Sequence, residues 1–252
     1  MQMEEFLKIK EELIAKVIEF EGLERKISLL NQSYFIEFHE ELEQQRYLQY
    51  ENDYLIKAIA MHSDGKSEEE IKDFLNQCKK EFSRHIQEFR QQYRLALDME
   101  RVCSKYSQLD FESVDKAFVD YCSEHHPLVQ AYSTEDERKV YQALITVYRL
   151  GNIEGFKNLL KESEHVFSST EVLESEYEDI SRIYKESLDQ MKKVIQELTS
   201  SFPLNKESMF YDEALFTREH IALREKNYQS REMNQALQKD FQLHFSFPFT
   251  LS

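Results

Sequence analysis

Glycine and proline are scarce in this sequence, with 4 Gly and 3 Pro among 252 residues. A sandwich or barrel of short strands needs many more turn-forming residues than this. Cysteine is scarce as well: Cys78, Cys103 and Cys122 are widely spaced, form no C-x-x-C pair and cannot all pair within one chain. We therefore predict a nearly all-helical protein with reduced thiols, which favours a cytoplasmic location.

Basic residues are also in deficit, because 32 Lys and Arg face 48 Asp and Glu and leave a formal net charge of −16. That excess repels phosphate backbones and anionic lipid, so we expect no nucleic-acid or membrane partner. The first residues lack the basic and apolar pattern of a secretion signal, and no run of about 18 uncharged apolar residues occurs. The chain does contain 18 Phe and 14 Tyr, which is enough large apolar side chain to bury a core.

The first part of the chain, residues 1–103, has the pattern of two long helical stretches. Asp64-Gly65 predicts a reversal between them, since Gly tolerates positive φ. Ser67 with Glu70 has the form of a capping box that starts the second stretch. The two stretches are predicted to pair as an antiparallel, coiled-coil-like hairpin. Apolar residues recur at steps of three and four on Phe6, Ile9, Leu13, Val17, Phe20, Leu23, Ile27, Leu30 and Tyr34, and again on Ile71, Leu75, Cys78, Phe82, Ile86, Phe89, Tyr93 and Ala96.

Shorter helices are predicted for residues 104–165. An amphipathic stretch follows Asp110 and ends at His126-Pro127, where proline stops the helix. Ser133 and Thr134 precede three acidic residues and are predicted to cap the next helix, and Gly151-Asn152 closes that helix. One further short helix follows, so this stretch is predicted to be a small helical unit.

Residues 166–252 return to the long-helix pattern. A helix is predicted to open at 168–171 and to end at Pro203, where the chain reverses into a final helix. The two helices are predicted to form a second hairpin. An apolar tail, Phe245 to Phe249, is expected to dock on the protein rather than to serve as a free contact site. The apolar stripe assigned to the final helix is Phe210, Ala214, Ile221, Tyr228, Leu237 and Phe241.

Motifs for common enzyme classes are missing from the sequence. It contains no phosphate-binding G-x-x-x-x-G-K-[ST] or G-x-G-x-x-G loop, no H-E-x-x-H zinc motif and no G-x-S-x-G nucleophile elbow. The adjacent pair His125-His126 is a poor metal site, because neighbouring side chains on a helix point about 100° apart. We therefore predict a protein that is not an enzyme, with no cofactor, no metal and no catalytic residues.

Residues Asp110 to Lys161 resemble a divergent J domain. The stretch to about residue 165 is similar to a group of proteins from low-G+C Gram-positive bacteria that place a long helical hairpin before such a module. The resemblance implies an all-α fold in which long antiparallel hairpins flank a J-domain-like unit, and it implies partner binding through His126, Pro127 and Leu128. The matching residues are Phe118-Val119-Asp120-Tyr121, His126-Pro127, Thr134-Glu135, Val147-Tyr148 and Gly151-Asn152-Ile153-Glu154.

The sequence departs from the J-domain pattern at the position linked to activity. The family has His-Pro-Asp in this turn and uses the Asp to stimulate a heat-shock ATPase, whereas Leu128 stands there in this chain. The preceding helix, which carries basic residues in the family, has three acids against one base between Glu112 and Tyr121. A chaperone surface suited to positive charge would repel it.

Three functions remain open at this point. The first is a non-catalytic cytoplasmic protein that mediates protein–protein interaction or self-association through the degenerate J-like unit and the extended helices. The second is an active co-chaperone that stimulates a heat-shock ATPase despite Leu128. The third, favoured least, is an enzyme with a pocket inside a helical bundle.

Overall fold

The computed structural model describes residues 3–163, 166 and 172–251. These residues form helices and no strand, which confirms the all-α fold class. The predicted helix start at 168–171 lies outside the described residues. The α-helices are α1 (Met3–Glu37), α2 (His39–Ser63), α3 (Glu68–Cys103), α4 (Gln108–His125), α5 (Glu135–Arg149), α6 (Ile153–Ser163), α7 (Tyr177–Ser200) and α8 (Glu213–His244), with 3-10 helices at Glu174–Glu176 and Leu204–Tyr211.

Local capping fixes several helix ends where the sequence predicted them. At the start of α3, the Ser67 hydroxyl accepts a hydrogen bond from the Glu70 amide at 3.2 Å, and the Glu70 carboxylate accepts from the Ser67 amide at 2.9 Å. Thr134 and Glu137 form the same reciprocal box at the start of α5. The prediction for Asp110 is wrong, because this residue does not precede the helix. It lies inside the first turn of α4 and forms a capping box with Ser107. Each box satisfies amides that have no partner within the helix.

The helices pack as two compact units that interleave along the chain. The first unit is Met1–Gln32 with Asp98–Glu207, and the second is Ser33–Leu97 with Ser208–Ser252. The boundaries drawn from the sequence at 103 and 165 follow consecutive stretches of chain and stay a prediction. Packing groups residues that are far apart in the chain, so both α1 and α3 contribute to both units.

In the first unit, one apolar core joins α1, α4, α5, α6 and α7. Leu13, Phe118, Leu144 and Phe156 are among its most enclosed side chains. α7 runs parallel to α1, because Glu5 pairs with Lys185 and Glu12 pairs with Lys192 further along both helices. The short helices α4 to α6 are therefore packed on α1 and α7 and share a core with them.

In the second unit, α2 and α3 run antiparallel across the Asp64-Gly65 turn. Glu43 accepts hydrogen bonds from Arg90, and Tyr47 contacts the edge of Phe82 at a centroid distance of 5.3 Å. Gly65 has φ +80°, as the predicted turn requires. A coiled-coil geometry for this pair stays a prediction.

Helix α8 lies parallel to α2 and packs on it closely. The contacts begin at Phe38–Phe216, where the ring centroids are 5.2 Å apart, and reach His62–His244 at 4.9 Å. The predicted hairpin would pair α7 with α8, whereas the contacts described within the units are those of α7 with α1 and of α8 with α2.

The apolar stripe assigned to α8 from the sequence is wrong in its middle. Ile221 and Tyr228 are 51% and 60% exposed, whereas Asn227 is buried. The reason is that α8 presents polar side chains to α2 and their amide groups donate hydrogen bonds there: Asn227 donates to the Glu41 carbonyl at 2.8 Å, and Asn234 donates to the Asn52 side chain at 2.9 Å. A buried polar group that has a partner need not be replaced by an apolar one.

The pKa values of two buried carboxylates in this interface are shifted in opposite directions. Burial raises the pKa of Glu51, and its hydrogen bonds from Asn234, Gln238 and a backbone amide do not fully offset that effect. Burial also acts to raise the pKa of Glu41, but hydrogen bonds from His220 at 3.0 Å and from Arg224 at 3.0 Å outweigh it and lower that pKa overall. The two groups therefore contribute to stability in different pH ranges.

The segment after α8 is docked, as predicted. Phe245 and Phe249 are buried in the apolar cluster of α2, α3 and α8, where both rings contact Phe241. Across the described residues, no helix has both the length and the apolar character needed to cross a membrane.

Candidate functional site

The turn between α4 and α5 contains the three residues singled out by the sequence. His126 is the C-cap residue of α4, and its amide donates to the Cys122 carbonyl at 3.1 Å. The Val129 amide donates back to the His126 carbonyl at 2.8 Å and closes the turn. Pro127 is half-buried and Leu128 is exposed, so the tip of the turn faces outward while His126 faces the core.

The His126 side chain stabilises this turn from the side that faces the core. Its Nδ1 accepts a hydrogen bond from the Leu128 amide at 3.0 Å, which places the proton of the neutral ring on Nε2. Nε2 faces the Glu21 carboxylate at 3.8 Å, and the edge of the ring contacts Tyr141. The imidazole is therefore a structural support, and Leu128 is the most exposed of the three residues.

The loop after the turn is held by two further hydrogen bonds. The Tyr184 hydroxyl on α7 donates to the Val129 carbonyl at 2.5 Å, and both residues are buried. The Gln130 side chain donates to the Glu124 carbonyl at 2.8 Å and ties the loop to the end of α4. Leu128 is thus the exposed point of a backbone that is fixed on both sides.

An ion pair between a buried carboxylate and a half-buried arginine lies under the turn. Glu21 on α1 is 3% exposed, and its Oε2 accepts hydrogen bonds from Arg149 Nε at 2.9 Å and Nη2 at 2.6 Å. Arg149 also approaches Glu24 at 3.5 Å. A buried carboxylate without a partner would cost several kcal/mol, so this pairing joins α1 to the end of α5 and supports His126 between them.

A buried cation, Arg25, lies one helical turn beyond Glu21 on α1. Arg25 pairs with Asp115 on α4, and its guanidinium lies 4.5 Å from the ring centroid of Tyr148. Tyr148 in turn stacks on Phe118 with centroids 3.8 Å apart and planes 11° apart. The arrangement places a cation on an aromatic stack, an attractive geometry whose strength grows with desolvation.

These charged residues were not predicted from the sequence. The stripe on α1 was assigned to apolar residues, yet the buried row continues from Leu13 and Val17 to Glu21 and Arg25 in steps of four. That spacing alone places all four on one face of the helix. This helical spacing is visible in the sequence, but a search restricted to apolar residues does not include Glu21 or Arg25.

The outward side of α4 and of the turn is acidic and includes two exposed apolar side chains. Leu128 is 40% exposed and Val119 is 36% exposed. Glu112, Asp120 and Glu124 are exposed on the same helix, against the single exposed base Lys116. This surface therefore combines exposed apolar side chains with an excess of negative charge.

Open grooves lie elsewhere on the described surface. One groove follows α2 along Leu42, Arg46 and Tyr50, and another follows α7 along Glu178, Arg182 and Lys185. Among the described residues, no group of three or more His, Cys, Asp or Glu side chains is placed to hold a metal ion.

The burial of the cysteines leaves them weakly nucleophilic. Burial raises the pKa of the Cys78 thiol to about 11 and that of the Cys122 thiol to about 12. Cys122 Sγ lies 3.6 Å from the Tyr141 hydroxyl, close to the support of the turn. Because the thiolate is the reactive form, neither residue is suited to nucleophilic chemistry at neutral pH.

Comparison of the chain with protein-family models, with curated proteins and with solved structures gave no match. The resemblance to J domains therefore stays a prediction that rests on the residues named above.

Proposed function

We propose that the protein is a non-catalytic, cytoplasmic protein-interaction module that binds a protein partner through the turn at His126, Pro127 and Leu128. The single observation that supports this most is the division of roles within the turn: His126 is buried and accepts the Leu128 amide, whereas Leu128 is exposed. A fixed backbone presents an apolar side chain without the entropy cost of ordering a loop on binding.

The acidic residues around the turn favour a partner with a basic surface. Glu112, Asp120 and Glu124 surround the outward face of α4, and the whole chain carries −16. A partner surface that combines an apolar pocket with Lys or Arg would be steered toward this face and could bury Leu128 in the pocket. An acidic partner would be rejected.

Substitution of Leu128 tests the proposal. Leu128→Glu places a charge at the tip, and Ile56→Glu on α2 makes the same change at a matched exposure, 41% against 40%. We expect the wild-type chain and Ile56→Glu to capture the same partner from a cell extract, and Leu128→Glu to lose it. Equal capture by all three chains would contradict the proposal.

In the co-chaperone alternative, the same surface binds a heat-shock ATPase. The J-like residues from Phe118 to Glu154 favour it, and Leu128 at the position of the family's Asp argues against it. ATPase stimulation by the wild-type chain would support this alternative. Absence of stimulation by both the wild-type chain and Leu128→Asp would exclude it.

A further inference from the structure

The segment after α8 has an alternating pattern that binds a groove in the second unit. Residues 245–251, here called the aromatic segment, read Phe-Ser-Phe-Pro-Phe-Thr-Leu and carry no charge. Phe245 and Phe249 are buried and Phe247 is half-buried, whereas the intervening Ser246 and Pro248 are exposed. Alternate side chains that point inward are the signature of an extended peptide in a recognition groove.

The groove that receives the aromatic segment is built by three helices and is here called the acceptor groove. Its apolar floor includes Phe241 on α8, Leu75 and Cys78 on α3, and Tyr54 and Ala58 on α2. All five side chains are buried in the same apolar cluster as Phe245 and Phe249, and Phe241, which the segment rings contact, is fully enclosed. An uncovered acceptor groove would therefore rebind a segment of this sequence strongly.

Polar contacts fix the direction of the segment in the groove. Ser246 donates to Glu68 at 3.0 Å, and Gln238 donates to the Phe249 carbonyl at 2.7 Å. Lys72 lies 4.7 Å from the Phe247 ring centroid, and Lys79 lies 5.4 Å from that of Phe249. These contacts recognise a defined order of residues as well as apolar surface.

The segment joins the helix that forms part of its groove at the end of α8. Phe245 follows the last helical residue with an extended backbone, φ −127° and ψ 141°. Rotation about this junction would release the segment and uncover the groove while α8 stays helical. Pro248 has a fixed φ and biases Phe247 toward extended backbone, which reduces the entropy lost at these two residues when the segment docks again.

We propose that the acceptor groove is a peptide-binding site that takes the aromatic segment of a second copy of this chain, so that two copies exchange segments. The argument for this occupant is that the groove is fitted to one sequence in detail, and a second copy supplies that same sequence. All contacts of the docked segment can be remade between copies, which makes exchange a route to dimers that requires no new surface. This inference concerns the second unit and does not depend on the turn at Leu128.

Concentration and salt govern the exchange in a predictable way. The docked segment competes from within its own chain at an effective concentration on the order of 1 mM, so exchange grows as the protein concentration approaches that value. Each copy carries −16, and salt screens the repulsion between copies. We therefore expect more exchange at high ionic strength.

Crosslinking between differently substituted full-length chains tests the proposal. Glu68→Cys and Ser246→Cys are made in separate chains, mixed, and treated with a short thiol crosslinker. Glu69→Cys is the matched control, since Glu69 is the next exposed residue and its side chain points about 100° away. A chain that carries both Glu68→Cys and Ser246→Cys reports docking within one copy and shows that the variants fold.

We expect the mixed chains to form a covalent heterodimer at least fivefold more abundant than that formed with Glu69→Cys, and we expect the yield to rise with concentration and salt. The doubly substituted chain should crosslink internally when dilute. Internal crosslinking combined with no more heterodimer than the Glu69→Cys mixture gives would overturn the exchange. Absence of internal crosslinking would overturn the docking on which the exchange depends.

Discussion

Replacement of Glu21 by glutamine should destabilise the unit that contains the turn. Glu21 accepts two hydrogen bonds from Arg149 and faces His126. Removal of one partner of a fully buried ion pair costs about 3–5 kcal/mol. Because the Arg149 side chain is 29% exposed and retains Glu24 at 3.5 Å, we expect a smaller loss of about 2 kcal/mol in the free energy of unfolding.

Glu24→Gln is the matched control for this change. It removes the same charge from the same arginine on the same helix, but the Glu24 side chain is 27% exposed where that of Glu21 is 4% exposed. An ion pair open to solvent contributes about 0–1 kcal/mol, so the control should change stability by less than 1 kcal/mol.

The assay is urea unfolding followed by circular dichroism and by tyrosine fluorescence, with the transition of the first unit analysed separately if the two units unfold apart. The midpoint should fall clearly for Glu21→Gln and little for Glu24→Gln. Equal shifts for the two variants would show that burial of the Glu21 pair does not support the turn.

The other predictions concern titration, backbone geometry and thiol reactivity. The raised pKa of Glu51 means that its contribution to stability is complete below its unfolded pKa and is lost as pH rises through its folded pKa, so Glu51→Gln should raise the unfolding free energy at pH 7 and flatten its dependence on pH above about 4.5. Gly22→Ala, in the interior of α1 with open space at the Cβ, should stabilise by about 0.5–1 kcal/mol, whereas Gly151→Ala, at φ +70°, should destabilise by at least about 1 kcal/mol; thermal unfolding measures both, and the same sign for the two would be inconsistent with the structure. Cys78 and Cys122 should react with a thiol reagent at pH 8 only as the protein unfolds, and rapid labelling of either in the folded protein would contradict their burial.

The sequence predicts the parts of the fold that depend on nearby residues. The helix start at Ser67 and Glu70, the helix end before Pro127 and the end of α5 at Gly151-Asn152 are all determined within a few positions, and the structure confirms them, with Leu150 as the C-cap residue and Gly151 directly after it at positive φ. The apolar stripe of α3 is confirmed for the same reason, because Ile71 and four further apolar positions are buried with the expected helical spacing.

Features that depend on distant partners could not be read from the sequence. Asn227 is buried because Glu41, far away in the chain, supplies an acceptor, and the polarity of the residue alone predicts exposure. Glu21 and Arg25 are buried for a similar reason, since their partners lie on α5 and α4. The candidate turn was identified from its residues, but the inward orientation of its histidine depends on contacts with α1 that only the fold brings together.

The central claim is that Leu128 contacts a partner from a turn that His126 stabilises on its core-facing side. Its most direct test is the dissociation constant of the captured partner for Leu128→Glu and for Ile56→Glu, measured at one salt concentration. We predict at least tenfold weaker binding for Leu128→Glu, which corresponds to about 1.4 kcal/mol, and less than a twofold change for Ile56→Glu. Unchanged affinity for Leu128→Glu, or equal weakening by the two variants, would contradict the claim.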